Sequence, residues 1–133
     1  KPIEEGEADL VIGSRFINKE GFQTSFMRRF GINVLGGVLR LCGKVKITDA
    51  TSGFRAASKP VIEFFSNYYA QDYPEPESII ASSVSGFRIK EVPVIMNERT
   101  AGVSSINTFK SMYYMIKVTL AILIYKLVGK RWR

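Results

Sequence analysis

The order of apolar and polar positions divides this chain into alternating short extended runs and longer helical ones. Leu10-Val11-Ile12 is a continuous β-rich run that ends at Gly13, the pattern of a buried strand feeding a loop. Residues 17–24 are polar and contain glycine, which predicts a loop. Phe26, Phe30, Val34, Leu35, Val38 and Leu41 recur at helical spacing, while Arg28, Arg29 and Arg40 lie mainly off that face. A helix is therefore expected from a Ser25 cap to about Cys42, with Gly43 as its stop. Val45 to Ile47 reads as a short strand or extended piece. Ser58-Lys59-Pro60 opens a helix to about Ser66 or Asn67, and a third helix runs from about Glu75 or Pro76 to Ser85, ending at Gly86. Phe87 to Ile95 reads as a strand, with Pro93 arguing for an edge or a bulge. A polar loop over 97–105 precedes a long helix from about Asn107 to Lys126 or beyond.

Alternation of this kind implies α/β architecture. Only two runs read as firm strands, so the rest of the sheet is expected from an amino-terminal half outside these 133 residues. The start, Lys1-Pro2-Ile3-Glu4-Glu5-Gly6, accordingly reads as the end of a helix entering a strand. The expected organisation is a carboxyl-terminal half-domain over 1–106 and a basic amphipathic helix over 107–133. A half-sheet leaves edge hydrogen bonds and apolar faces uncovered, so self-association as a homodimer or higher is expected.

Composition narrows the chemistry. There is no histidine, which removes Ser-His-Asp and Cys-His schemes, histidine bases and most zinc sites. A single cysteine, Cys42, rules out an internal disulfide and reads as a small buried apolar residue. The net charge of +7 arises entirely after residue 87; the first 87 residues balance, and no acid follows Lys110. A neutral body with a basic tail points to an anionic surface, membrane lipid or nucleic acid. No nucleic-acid motif is present and the basic residues are not interleaved with stacking aromatics, so nucleic acid is set aside. In the terminal helix, Val118 to Tyr125 is apolar between Lys117 and Lys126, too short a run for a span of about 20 residues. Lys117, Lys126, Lys130, Arg131 and Trp132 then become candidate membrane contacts of a surface-lying helix; packing on protein is the alternative.

Four polar clusters carry candidate chemistry. Gly13-Ser14-Arg15 leaves a buried strand at the end where open α/β sheets bind ligands, so Arg15 can reach a phosphate. Asp49-Ala50-Thr51-Ser52-Gly53-Phe54-Arg55-Ala56 sets an acid and an arginine around a glycine-centred turn. Asp49 can hold sugar hydroxyls or act as a base, and Arg55 can pair with Asp49, grip a phosphate or fix the turn. Gly53 is expected to supply an unusual backbone angle or room for a ligand. Tyr73-Pro74-Glu75-Pro76-Glu77 places two carboxylates at a helix start, where the dipole favours them and where either can serve as base or holder for an acceptor. Glu98 to Ser105 is a polar glycine loop in which Arg99 and Ser104 suit a diphosphate, while Ser104 or Ser105 caps the next helix.

Ala8 to Arg15, Arg28-Arg29, Asp49 to Ala56, Glu91-Val92-Pro93-Val94 and Arg99-x-x-Gly102-x-Ser104 occur in this order. Together they resemble the second half of an inverting family 2 glycosyltransferase of the GT-A, Rossmann-like fold. The nearest groups are the dolichol- or polyprenol-phosphate sugar transferases and bacterial polysaccharide glycosyltransferases. The resemblance covers residues 8–106. It implies transfer from a nucleotide-sugar donor to a polyprenyl-phosphate or glycan acceptor at the cytoplasmic face of a membrane, the protein lying there peripherally. By the same resemblance Arg15, Arg99 and Ser104 contact donor phosphates, Asp49 sits near the transferring sugar, and Glu77 or Glu75 lies in the acceptor region with Tyr73. A divalent metal, Mg or Mn, is implied for the full protein only, because the family's metal motif Asp-x-Asp lies upstream and none occurs here. These residues alone are therefore expected to hold no metal and to be inactive.

Overall fold

The computed structural model describes residues 1–21, 25–68, 74–97 and 108–129. It is a mixed α/β arrangement of three strands and four helices: β1 (Leu10–Ser14), α1 (Phe26–Gly43), β2 (Arg55–Ala57), α2 (Lys59–Tyr68), α3 (Pro74–Val84), β3 (Ile89–Pro93) and α4 (Thr108–Gly129). The sheet order is β2-β1-β3. β2 runs antiparallel to β1, with Val11 opposite Ala56, and β3 runs parallel to it, with Leu10 opposite Ile89 and Ser14 opposite Pro93. All five β1 residues are buried, as a continuous apolar run in a central strand requires. Pro93 ends β3, an outer strand among the described residues, where its missing N–H leaves no ladder bond unmade.

Period-two alternation sends Leu10 and Ile12 of β1 into one core with Leu35 and Leu39 of α1, Ile79 and Ile80 of α3, and Val118 and Ile122 of α4. Each such side chain, taken fully out of water, contributes about 1.5–3 kcal/mol. Asp9 accepts hydrogen bonds from the Arg88 backbone N–H (2.8 Å) and guanidinium (3.0 Å), which ties the start of β1 to the entry of β3. These bonds hold the Asp9 carboxyl below its ordinary value and raise Arg88.

Three sequence expectations are corrected. β2 is a strand that the sequence did not announce; its three residues, Arg-Ala-Ala, carry little β propensity and gain their place by pairing with β1. Ser25 precedes α1 in an extended conformation but makes no side-chain cap, and the helix stops at Lys44 in the left-handed region (φ 57°), its N–H bonded to the Arg40 carbonyl. The largest correction concerns the buried face of α1. The residues turned inward are Ile32, Leu35 and Leu39, whereas Phe26 (83% exposed), Phe30, Val34 and Leu41 (79%) face outward. The apolar residues of α1 cover enough of its circumference to allow either orientation, and the core took the side that carries Ile32, Leu35 and Leu39.

Candidate functional site

Arg15 follows the last residue of β1, at the carboxyl end shared by the parallel pair β1 and β3. Its guanidinium forks onto Asp49: Nε donates to Oδ2 at 2.7 Å and Nη2 to Oδ1 at 2.8 Å. The Arg15 backbone N–H also donates to Oδ2 (3.3 Å), and the Thr51 hydroxyl lies 3.4 Å from Oδ1. Asp49 is wholly buried and the Arg15 side chain is 14% exposed. Two residues 34 apart in sequence thus form a bidentate charge-assisted pair, the strongest geometry open to a carboxylate. No oxygen of Asp49 faces solvent, so its contact is with Arg15, which it orients.

The loop that presents Asp49 is pinned from β3. Glu91 accepts hydrogen bonds from the backbone N–H groups of Thr48 and Asp49 and from the Thr48 hydroxyl, each at 2.9 Å. Since that hydroxyl spends its proton on Glu91, the Ser14 hydroxyl donates to Thr48 Oγ1 at 2.7 Å and itself accepts from Phe16 N–H. A directed chain therefore runs from β1 through Thr48 to β3, each link polarising the next. Arg29 on α1 donates to the Thr48 carbonyl and lies 3.7 Å above the Phe16 ring, closing the other side.

Arg55 does not pair with Asp49. It donates to the Ser52 carbonyl (2.8 Å), the Ala50 carbonyl (3.4 Å) and the Ser78 hydroxyl on α3. This is the turn-fixing role, and it extends further: Ser78 in turn bonds the Glu75 carbonyl. One guanidinium thus ties the Asp49 loop to the first turn of α3, which carries Glu75 and Glu77. Pro74 opens α3 where a missing N–H costs nothing, and the two acids sit where the helix dipole favours them.

Gly53 departs from expectation. It does not adopt a positive φ, is exposed, and a Cβ there would meet nothing within 4 Å. The turn alone therefore does not demand glycine. Gly53→Ala should leave stability unchanged or raise it by about 0.4–1 kcal/mol through the unfolded chain. A urea melt of the variant checks this; a loss above about 1 kcal/mol would show a different turn in solution. If stability holds while turnover falls, the open space over Gly53 belongs to a ligand.

The structure pairs Arg15 with Asp49 and, through Arg55, links the Asp49 loop to the α3 turn whose sequence carries Glu75 and Glu77. Arg99, Ser104, Tyr73, Lys130, Arg131 and Trp132 lie outside the described residues. Lys117 sits 5.0 Å from the Tyr113 ring centroid, and Lys126 donates to the Leu41 carbonyl near the end of α1 (3.1 Å). Sequence reasoning gave no role to Glu91, Thr48, Ser14 or Arg29. Ser14, Arg29 and Glu91 had appeared only as members of the motifs Gly13-Ser14-Arg15, Arg28-Arg29 and Glu91-Val92-Pro93-Val94, and Thr48 left no trace.

Among the described residues no group of three or more His, Cys, Asp or Glu side chains suits a metal ion. The two carboxylates nearest the loop are engaged, Asp49 by Arg15 and Glu91 by amides and a hydroxyl. These residues do not fit a divalent cation. No protein-family model matches the chain, and no solved structure matches it.

Proposed function

We propose that this chain forms the acceptor-side part of a GT-A-type glycosyltransferase that moves a sugar from a nucleotide-sugar to a lipid-linked or polysaccharide acceptor. The ordered motifs motivate the reading. The observation that carries it is the buried Arg15–Asp49 fork at the carboxyl end of two parallel strands, joined through Arg55 to a helix start bearing two acids. Ligands of open α/β sheets bind at that end of the strands.

In this reading Asp49 is a positioning residue, and Arg15 presents positive charge toward the donor diphosphate. The acceptor oxygen attacks the anomeric carbon, the bond from that carbon to the diphosphate breaks, and the nucleoside diphosphate leaves. A hydroxyl acceptor gives up a proton, which Glu75 or Glu77 takes; a phosphate acceptor has none to give. Arg99 and Ser104 are proposed as further donor contacts. Any metal chemistry would fall to residues other than these.

The test is nucleoside diphosphate release from a panel of nucleotide-sugars by the full-length protein, with lipid-linked or glycan acceptor. Arg15→Ala is expected to lower turnover by ~10²-fold or more, as when a charge-stabilising group is removed. Glu75→Gln and Glu77→Gln separate the acceptors: loss of kcat in one of them marks a hydroxyl acceptor, and a change confined to KM marks a phosphate. Absence of release with every sugar and acceptor would defeat the proposal.

A further inference from the structure

Phe54 stands apart from the residues that build the Asp49 loop. Ser52 before it is buried and accepts the Phe54 N–H, and Arg55 after it is turned under the loop. The Phe54 carbonyl accepts the Gly13 N–H at 2.8 Å, which fixes its backbone against β1. The residue is nonetheless 64% exposed, beside exposed Gly53. A single exposed apolar residue means little by itself. The seat of this one is specific. A Cβ on Gly13 would lie 2.6 Å from Phe54 Cδ1 and 2.8 Å from Val94 Cγ1, so the ring and Val94 fill the space where Gly13 lacks a side chain. The ring is held at one edge against the β1 backbone and Val94, and the rest of it meets solvent.

Its surroundings supply polar groups. Gly13 stands two residues before Arg15, and Phe54 five after Asp49. Half-buried Thr51 brings a hydroxyl to the same turn, 3.4 Å from both the Asp49 carboxylate and the Arg15 guanidinium. Over Gly53 there is room, and its exposed peptide group can meet a ligand hydroxyl. A seated aromatic ring with polar groups at its border matches a pyranose, which carries a patch of C–H bonds on one face and hydroxyls around its rim. The C–H bonds are attracted to the negative face of the ring, and the hydroxyls take the polar groups that fix orientation. We infer that Phe54 is the stacking platform of a carbohydrate subsite, holding one sugar ring over the open side of the Asp49 loop. The inference does not require that the sugar be transferred; a chain that binds a glycan without reacting with it would use the same seat.

Saturation-transfer NMR of the full chain with methyl glycosides of glucose, galactose, mannose and N-acetylglucosamine, and with short oligosaccharides of each, tests it. At least one should bind, with saturation strongest on the C–H protons of one ring face. Phe54→Ala should weaken that binding about tenfold, the scale of one stacked aromatic. Phe54→Tyr and Phe54→Trp should keep it. Phe54→Leu should behave as Phe54→Ala, because the contact needs a π face and not only an apolar surface. The position is exposed, so all four variants should keep the thermal midpoint; Ile62→Ala, exposed on α2, should leave binding unchanged. Binding that Phe54→Ala leaves intact, or that Phe54→Leu retains in full, overturns the inference. So does an absence of binding by every sugar. Uridine or dodecyl phosphate saturated in place of the sugars would likewise overturn it and give the ring to a nucleobase or a lipid. Nucleoside diphosphate release is a separate readout: release by a chain whose Phe54 holds no sugar keeps the transfer reading and discards this one, and sugar binding without release does the reverse.

Discussion

Asp49→Ala is expected to cost the fold about 3–5 kcal/mol, the penalty for stranding one partner of a buried ion pair. The cost comes less from the lost attraction than from what remains: the Arg15 guanidinium, 14% exposed, loses the acceptor of two of its N–H groups. Arg15→Ala should be comparably severe, because Asp49 is wholly buried. Arg15→Lys should recover only part of the loss, since a single ammonium cannot span both carboxylate oxygens. The informative variant is the double replacement Arg15→Leu with Asp49→Leu, which removes both charges and should cost clearly less than the two single changes added together. Urea unfolding of wild type, Arg15→Leu, Asp49→Leu and the double Leu variant measures this coupling. Singles within about 0.5 kcal/mol of wild type, the ordinary range for surface changes, would mean that the fork is open to water in solution. In the enzymatic reading Asp49→Ala also lowers turnover, and activity should then track the orientation of Arg15 and not the presence of an acid: Asp49→Asn, which keeps one acceptor oxygen, should retain more of both.

Elements whose signals are local were legible in the chain. β1 is announced by a continuous apolar run, α2 by Ser58-Lys59-Pro60, and the end of α3 by Gly86, which does adopt a positive φ of 86°. Elements decided by their neighbours were not. β2 exists because β1 offers it a ladder, and its residues hold no strand signature of their own. The orientation of α1 was unreadable for a related reason: its apolar residues cover more than one face, and the sequence does not say that one face meets a core while the other borders α4.

The site divides in the same way. Residue types at the end of a strand and around a turn pointed to Arg15 and Asp49, because charged side chains in such places are suited to gripping phosphates and hydroxyls. Their partnership was not visible, since nothing in the chain tells Asp49 to choose Arg15, 34 residues away, over Arg55, six residues away. The structure shows why. Arg55 is turned under its own loop by the Ala50 and Ser52 carbonyls and Ser78, which leaves the top of the loop to Arg15. Glu91 was visible as the first residue of the motif Glu91-Val92-Pro93-Val94, but its task was not, because it holds backbone N–H groups and backbone partners leave no mark in a sequence.

That hidden role makes Glu91→Gln the second change of large expected effect. The glutamine is nearly the same size, so no cavity forms and packing is not the issue. One acceptor oxygen becomes a donor NH2 set against N–H groups that were already donating to it, those of Thr48 and Asp49. A buried donor left without an acceptor costs about 1–3 kcal/mol, and the Ser14–Thr48 chain loses its terminus as well. The expected loss of stability is thus about 1–3 kcal/mol, smaller than for Asp49 because no charge is left unpaired. Its location is the sharper signature. Amide exchange of Thr48 and Asp49 should accelerate strongly while that of Leu10, in the β1 ladder, follows only the global loss. Thr48→Val, which cuts the same chain one link earlier but leaves the amide bonds to Glu91, should cost about 1 kcal/mol and spare those amides. If Thr48 and Asp49 keep their protection in Glu91→Gln, something other than β3 holds the loop, and Arg15 is positioned without it.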